Sequence, residues 1–302
     1  MTERFHSNGK LLLTAEYAVL DGALSLAVPT IYGQSLEITS NSSSQLHWLS
    51  KDHKNDIWFE SQFDLKNIRA SKPASTTEKV LADVLIAAQH LNPRFLNQAE
   101  GYTATSKIDF PLSWGLGTSS TLINNVANWA EIDAYELLKR TFGGSGYDIA
   151  CAQHNNPLLF QLENDMPRVR KISFDPPFKQ KLYFIYLNKK KDSREGISQY
   201  REQHLDRALL IRQITEITKS MSVCMDLTHF ETLMSRHETL ISKALGMQTV
   251  KTTLFPDYPN AIKSLGAWGG DFIMAIGNDR TPYYFNSKGY KVVIPYEKMV
   301  LS

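Results

Sequence analysis

The feature that most constrains the fold of this chain is the stretch PLSWGLGTSST at residues 111–121. A β-type pattern over 102–110 runs into this stretch, and a helical pattern leaves it from about residue 121. Gly115 and Gly117 allow the main chain to turn sharply and to come close to a ligand, because glycine has no Cβ atom. The pattern therefore predicts a strand, a tight polar loop and a helix in succession.

The residues after this turn carry hydroxyl groups at the start of the predicted helix. Thr118, Ser119 and Ser120 stand where the first amide groups of a helix have no intrahelical acceptor. These amides lie at the positive end of the helix dipole, so they favour a phosphate group. The alternative is an ordinary helix capped by Ser or Thr after a turn. The spacing differs from that of a P-loop and from that of a dinucleotide-binding fingerprint.

The composition is that of a globular protein with an ordinary core. The 302 residues suffice for one large domain or two ordinary ones. A net charge of +2 shows no nucleic-acid footprint, and no apolar run approaches the ~20 residues that span a bilayer. Two distant cysteines favour a reduced compartment over a disulfide scaffold. We therefore expect a cytoplasmic protein, a monomer or homodimer, without nucleic-acid or membrane partners.

The order of strand and helix patterns predicts an α+β protein with two domains. Pro167, Pro176 and Pro177 mark the most pronounced break in the pattern. This break predicts an N-terminal domain over residues 1–170 and a C-terminal domain over residues 171–302.

Several helices are expected within this frame. Ser75 and Glu78 form a capping box ahead of a stripe of apolar residues with helical spacing. Further helical patterns cover residues 122–140, 197–220, 228–245 and 258–265.

Two further polar stretches carry chemistry. Lys10 follows Asn8 and Gly9 at a strand end, where a lysine can reach a phosphoryl group as a flexible point charge. The alternative is a solvated surface lysine. Asp148 follows a run of glycines and stands at the entrance to an apolar segment. It caps a helix, or it takes a proton from an alcohol, or it holds Lys10, and the sequence leaves these roles open.

A third glycine-rich stretch contains Gly266, Gly269 and Gly270, which either pack beside a ligand or form a plain tight turn. The basic run at residues 189–191, with Arg194, either binds an acceptor that already carries phosphate or is a solvated loop.

In this order and spacing, the stretches resemble the motifs of the GHMP small-molecule kinases. Residues 7–22 (SNGKLLLTAEYAVLDG) look like the first motif of that family, residues 111–119 like the second and residues 266–270 like the third. The segment GSGYD at 144–148 is similar to one in the mevalonate and phosphomevalonate kinase branches. The resemblance spans residues 5–276.

The resemblance implies an N-terminal domain like the second domain of ribosomal protein S5 and a ferredoxin-like C-terminal domain. It implies a phosphotransferase that uses ATP and Mg²⁺, with Asp148 and Lys10 as catalytic residues and a mevalonate-like or phosphomevalonate-like small molecule as acceptor. The implied ATP-binding residues are Ser113, Trp114, Gly115, Leu116, Gly117, Thr118, Ser119 and Ser120. The implied metal ligands are Ser119 and Glu136. The implied acceptor-binding residues are Glu16, Tyr17, Ser145, Gly146, Tyr147, Ser193 and Gly269.

The sequence also departs from the family pattern. Asn8 replaces a proline, and Phe272 stands where a cysteine is common. Trp268 replaces a glycine of the third turn, where its ring is expected to narrow the acceptor site or to reshape the loop. Three alternatives stay open: a relative with homoserine or a sugar as acceptor, a mevalonate-diphosphate decarboxylase, and a non-catalytic nucleotide-binding regulator. The Ser-rich loop of the decarboxylases looks absent.

Overall fold

The computed structural model describes residues 2–69, 74–97, 100–191 and 193–301, without the side chains of Ser193 and Arg194. Within these ranges, no helix combines the length and the apolar character that crossing a membrane requires.

The described elements mix strands and helices throughout the chain, as the sequence predicts. The strands are β1 (Thr2–Leu12), β2 (Ser25–Asn41), β3 (Gln45–Lys51), β4 (Ile57–Asp64), β5 (Gly101–Ile108), β6 (Leu158–Glu163), β7 (Met166–Lys171), β8 (Leu182–Tyr186), β9 (Ile262–Leu265), β10 (Phe272–Ile276) and β11 (Val293–Pro295). The helices are α1 (Thr76–Leu91), α2 (Thr118–Trp129), α3 (Ala134–Arg140), α4 (Tyr147–Gln153), α5 (Ser193–Glu202), α6 (Arg207–Ser222), α7 (Leu227–Leu245), α8 (Val250–Leu254) and α9 (Thr281–Ser287).

The chain packs into two compact units, each made from separate segments. The first unit contains Met1–Gly9, Tyr32–Leu112 and Leu116–Gln153. The second unit contains Lys10–Ile31, Ser113–Gly115 and His154–Ser302. The division into domains at residues 1–170 and 171–302 stays a prediction.

The first unit is built on strands that alternate buried and exposed side chains. Strand β3 pairs antiparallel with β4 and parallel with β5, and β5 pairs antiparallel with residues 34–41 of β2. Leu36 and Ile38 of β2 and Leu46 and Trp48 of β3 are buried at every second position, because successive side chains of a strand point to opposite faces. They share one apolar core with side chains of α1, α2 and α3.

Helix α1 begins as its capping pattern predicts. The Ser75 hydroxyl accepts a hydrogen bond from the Glu78 amide at 3.1 Å, which satisfies one of the amides at the helix start. Apolar residues such as Leu81 and Leu85 then follow on the buried face.

Helix α2 buries polar side chains on its inner face. Asn125 accepts a hydrogen bond from the Ser7 hydroxyl at 2.7 Å and donates one to the Gln34 carbonyl at 2.9 Å. Asn124 donates to the same Ser7 hydroxyl at 2.9 Å, and Thr121 donates to the Gln34 side chain at 2.5 Å. These bonds connect α2 to β1 and β2 by groups that are buried and paired.

The second unit contains two groups of strands. Residues 25–27 of β2 pair with β6, and β6 pairs with β7. A separate four-stranded antiparallel sheet has the order β11-β8-β10-β9. Side chains such as Ile185, Phe255, Ile273 and Phe285 form a core with this sheet.

Three helical predictions differ from the structure. The pattern at 197–220 is divided between α5 and α6, because residues 203–206 leave the helix. The pattern at 122–140 is divided between α2 and α3, because residues 130–133 leave the helix and Asp133 caps a new one by accepting from the Tyr135 amide at 2.7 Å. The segment 258–265 is not a helix, since Ile262–Leu265 pairs as a strand with β10.

We expect Asn125→Ala to destabilise the protein by about 1–3 kcal/mol, because it leaves the buried Ser7 hydroxyl and Gln34 carbonyl without their partner. Asn128→Ala is the matched control, since Asn128 is exposed on the same helix. Chemical denaturation followed by circular dichroism measures both variants. Equal midpoints for the two variants would show that the buried bonds contribute nothing.

Candidate active site

The start of helix α2 has the geometry of an anion-binding helix terminus. Gly117 has a left-handed backbone with φ 95°, and its carbonyl accepts bonds from the Thr121 amide at 3.0 Å and the Ser120 hydroxyl at 2.8 Å. Ser120 is therefore buried and used within the loop, whereas Ser119 is exposed. The first-turn amides of Thr118 and Ser119 precede any intrahelical acceptor, so they are available to a ligand.

An apolar cavity of about 280 Å³ lies beside this helix start, within the first unit. Its lining contains four aromatic side chains, five aliphatic side chains and several hydroxyl groups. They include Trp48, Trp58, Phe59, Leu81, Ile108, Leu112, Leu122, Thr76, Thr77, Thr118 and Ser119. Local sequence patterns could not indicate this cavity, because Trp48 of β3 and Trp58 of β4 come together only when the two strands pair.

Asp148 is the second residue of α4, so it lies within the first turn and is not the N-cap that the sequence offered as one role. Its carboxylate is half-buried and accepts from the Ile149 amide at 3.1 Å. Gly146, with φ 87°, precedes it, and a methyl group there would lie 3.0 Å from the ring of Tyr135. Ser145 is buried and Tyr147 is half-buried in the same segment. Glu136 is exposed in the first turn of α3.

Lys10 and Asp271 meet at Gly115 in the second unit. The Lys10 ammonium donates to the Gly115 carbonyl at 3.1 Å. The Asp271 carboxylate lies against the α-carbon of Gly115, where a methyl group would be 2.4 Å from Asp271 Cγ. Trp114 packs edge-on against Phe272, with 5.5 Å between the ring centroids. Asp271 had no role in the sequence interpretation, although an aspartate directly after two glycines was a signal for one.

Tyr17 joins the first and third motifs. Its hydroxyl accepts from the Trp268 amide at 2.9 Å, and its ring stacks on Tyr200 with centroids 6.0 Å apart. Gly196 of α5 has no space for a side chain, since a methyl group there would lie 2.3 Å from the Tyr17 hydroxyl. Tyr17 is therefore a buried contact between segments that are distant in the sequence.

Trp268 is buried and occupies the third glycine turn. Its indole nitrogen donates to the Gln248 carbonyl at 3.0 Å, so the ring is held within the second unit. Gly269 next to it has φ 74°. Apart from its two chain neighbours, no described residue has an atom within 4 Å of the place that a methyl group would take.

The basic run has a mixed environment. Lys189 and Lys190 are exposed, whereas Lys191 packs its side chain against Gly270. Ser193 begins α5, and its side chain lies outside the described residues.

Glu16 belongs to a cluster of buried ionisable groups. It bonds to the ammonium of Lys263, and both side chains are fully buried. Its neighbours Ala15 and Tyr17 have positive φ values of 70° and 62°, so the ion pair stands at a strained turn. The charged Lys263 in the apolar strand β9 was a sequence signal for a buried partner.

His237 and Glu238 complete this cluster. The Ala15 amide donates to His237 Nε2 at 2.8 Å, so this nitrogen carries no proton and the ring is neutral. Burial lowers the pKa of His237 well below its usual value, in agreement with that bond. The 3.4 Å approach of Nε2 to Glu16 is therefore not an ion pair. Burial raises the pKa of Glu238 to about 8, although the Lys263 charge opposes this shift.

Comparisons with known proteins give matches among solved structures. Neither family models nor curated protein sequences match the chain. The mevalonate kinase of Methanococcus jannaschii is 16% identical, with 100% of this chain and 99% of that chain covered and a TM-score of 0.75. The phosphomevalonate kinase of Streptococcus pneumoniae, in complex with phosphomevalonate and AMPPNP, is 17% identical, with 95% of each chain covered and a TM-score of 0.68.

A galactokinase from Lactococcus lactis matches at 13% identity, with 95% of this chain and 89% of that chain covered and a TM-score of 0.68. The chain therefore has a fold that small-molecule kinases share. It is the GHMP kinase fold, which the order of the three motifs predicted, and the α+β class is confirmed.

We expect the wild-type protein to lose stability as the pH rises from 6.5 to 8, and the Glu238→Gln variant to lose less. Folded Glu238 keeps its proton up to a pKa of about 8, whereas an unfolded glutamate loses its proton near the usual pKa of 4.5. The folded state therefore binds more protons in this window, and its stability falls as the pH rises. Glutamine keeps an acceptor for the Ser264 amide, which now bonds to Glu238 at 2.9 Å.

Melting temperatures at pH 6.5, 7.2 and 8.0 measure this effect. The window starts at the usual pKa of histidine, because below it the unfolded His237 takes up a proton and opposes the trend. Glu216→Gln is the control, since Glu216 is exposed on α6. Parallel curves for wild type and Glu238→Gln would contradict the assignment.

Proposed function

We propose that the protein is an ATP-dependent phosphotransferase of the GHMP kinase type that acts on a small molecule with a hydroxyl or phosphate acceptor group. The observation that carries this proposal is the anion-binding start of α2 directly beside an apolar cavity. A nucleoside triphosphate needs these two features together, because its base is apolar and flat while its phosphates are anionic. The kinase names of the matching structures support it.

In this proposal the adenine base lies in the cavity among Trp48, Trp58 and Phe59. The phosphates lie on the main-chain amides at residues 115–120, where the helix dipole adds a favourable field. Ser113 and Trp114 belong to the same loop and shape its approach. The open position at Gly117 keeps side-chain atoms away from the phosphates.

Mg²⁺ fits this site as an ion that arrives with ATP. Among the described residues, no group of three or more His, Cys, Asp or Glu side chains is placed to hold a metal ion. Mg²⁺ commonly keeps several waters and binds one or two protein groups together with substrate phosphates. We propose the exposed Ser119 hydroxyl and Glu136 as these groups. Bound there, the ion would neutralise charge on the phosphoryl oxygens.

Asp148 and Lys10 have separate roles in the proposed reaction. The acceptor oxygen forms a bond to the γ-phosphorus, the bond between this phosphorus and the β–γ bridging oxygen breaks, and ADP leaves. Asp148 takes the proton of an acceptor hydroxyl, a step worth typically 10²–10⁴ in rate. Lys10 supplies positive charge to the transferred group, as phosphoryl transfer depends chiefly on positioning and charge stabilisation.

We propose a mevalonate-like or phosphomevalonate-like acid as the acceptor. The names of two matching structures and the exposed lysines at 189 and 190 support an anionic acceptor. The segment at 145–147, with Ser145, Gly146 and Tyr147, directly precedes Asp148 and is proposed to contact the acceptor. We propose the same of Tyr17, Ser193 and Gly269 in the second unit.

We expect ADP release with Mg-ATP and one acceptor from a panel of mevalonate, phosphomevalonate, homoserine and sugars. Asp148→Asn should lower kcat by at least 100-fold and leave the Kd for ATP within about threefold, because it removes the base but no phosphate contact. Asp133→Asn is the control, since Asp133 caps α3 and asparagine also caps a helix well.

Full turnover in Asp148→Asn would refute the catalytic role of this residue. Nucleotide binding without ADP release for any acceptor would indicate a non-catalytic nucleotide-binding protein. Release of CO₂ from mevalonate diphosphate would instead indicate a decarboxylase.

We expect Gly117→Val to weaken ATP binding by more than tenfold, because the branched side chain intrudes on the phosphates and strains the left-handed turn. Quenching of tryptophan fluorescence measures the affinity, since Trp48 and Trp58 both line the cavity. Gly289→Val is the matched control for strain. Gly289 has φ 91°, and in the described part of the chain no residue beyond its two neighbours comes within 4 Å of a new methyl group. An unchanged Kd in Gly117→Val would count against the loop as the phosphate site.

A further inference from the structure

Asp271 reaches the proposed phosphate loop from the third glycine turn. Its carboxylate fills the space where Gly115 has no side chain, with Oδ2 and Oδ1 at 2.5 and 2.7 Å from the place of a methyl group. The Lys10 ammonium is bound to the carbonyl of the same glycine at 3.1 Å. One glycine therefore carries an anion against its α-carbon and a cation on its carbonyl oxygen.

The backbone of Asp271 is held in an unusual conformation. Its φ of 49° lies in the left-handed region, where a residue with a side chain is uncommon. Main-chain bonds fix it there, since its amide donates to the Lys189 carbonyl and the Leu187 amide donates to its own carbonyl, both at 2.8 Å. Strain of this kind persists where the surrounding structure requires one side-chain direction.

The surroundings of the carboxylate are basic. Burial raises the pKa of Asp271, and the charge of Lys10 is the largest influence that lowers it. The Lys191 amide and the Lys190 charge act in the same direction as Lys10. Partial burial strengthens the attraction between opposite charges, because less water screens it.

A purely structural role for the side chain is the competing explanation. The segment 187–191 is already attached to Asp271 by the two main-chain bonds, which need no carboxylate. The side-chain bond to this segment, from the Lys191 amide to Oδ1, is long at 3.4 Å. The carboxylate therefore contributes little to holding the segment 187–191, whereas its position at Gly115 suits it as a partner for Lys10.

We infer that Asp271 is a positioning residue for Lys10, and that its carboxylate directs the Lys10 ammonium towards Gly115. The consequence for catalysis rests on the proposed function, because Lys10 matters to the reaction only if a phosphoryl group is transferred there. The sequence analysis left open that Asp148 positions Lys10. The proton transfer proposed for Asp148 does not depend on this assignment.

The test is the acetylation rate of individual lysines in Asp271→Asn, measured by mass spectrometry at pH 8 without nucleotide. Only the neutral amine reacts, so loss of a neighbouring carboxylate should raise the rate at Lys10 by threefold or more. Asparagine is the suitable replacement, since it tolerates a left-handed backbone.

Asp257→Asn is the matched control. Asp257 accepts from the Lys288 ammonium at 2.9 Å on the surface of the same unit. This variant should raise the rate at Lys288 and leave Lys10 unchanged, whereas Asp271→Asn should do the reverse. Lys263 reports on folding, because it is fully buried and should stay unlabelled in both variants.

The activity readout is separate. Asp271→Asn should lower kcat by about 10- to 100-fold while the Kd for ATP stays within threefold. This result is expected if the Lys10 ammonium is misplaced and the proposed phosphate loop at residues 115–120 keeps its conformation. An unchanged rate at Lys10, beside a response of Lys288 in the control, would overturn the inference. Labelling of Lys263 in Asp271→Asn would overturn it too, because it would show a structural role. If wild type transfers no phosphoryl group but Lys10 responds, the proposed function fails and the pairing of Asp271 with Lys10 stands.

Discussion

The first unit depends on the way helix α2 begins and the way its inner face is held. A helix start with unpaired amides binds an anion only if it stays in place when the ligand is absent. Here the helix is anchored by buried hydrogen bonds from Asn125 to Ser7 and Gln34. Such bonds are directional, and leaving any of their groups unpaired is costly, so they define one orientation of α2 more strictly than apolar contacts would.

The second unit depends on a different constraint, a strained turn held by buried charges. Ala15 and Tyr17 adopt positive φ values around Glu16, which is bound to Lys263. A buried ion pair adds little net stability, but either charge is expensive to leave alone. The pair therefore restricts the turn after Lys10 to the one conformation in which both charges are paired. That conformation places the Tyr17 hydroxyl on the Trp268 amide.

The pairing of buried polar atoms also explains the environment of two residues that the sequence analysis named. Ser120 was expected to bind phosphate through its main-chain amide, and its hydroxyl bonds to the Gly117 carbonyl. Trp268 was expected to narrow a site or reshape a loop, and its ring is held by Gln248. In each case a polar atom of the side chain bonds to a main-chain carbonyl earlier in the sequence. A hydrophobic or glycine pattern does not show which carbonyl that is.

The amino-acid sequence by itself determined the α+β class, the strand-loop-helix order around residues 111–121 and the candidate roles of Lys10 and Asp148. These depend on local spacing, glycine content and hydrophobic period, which act over a few residues. Tertiary structure decided the cavity at Trp48 and Trp58, the Glu16–Lys263 pair and the place of Asp271. Each of these depends on which side chains meet across pairings such as β3 with β4 or β9 with β10. Burial and partner choice arise only when such segments come together, so no local pattern in the chain carries them.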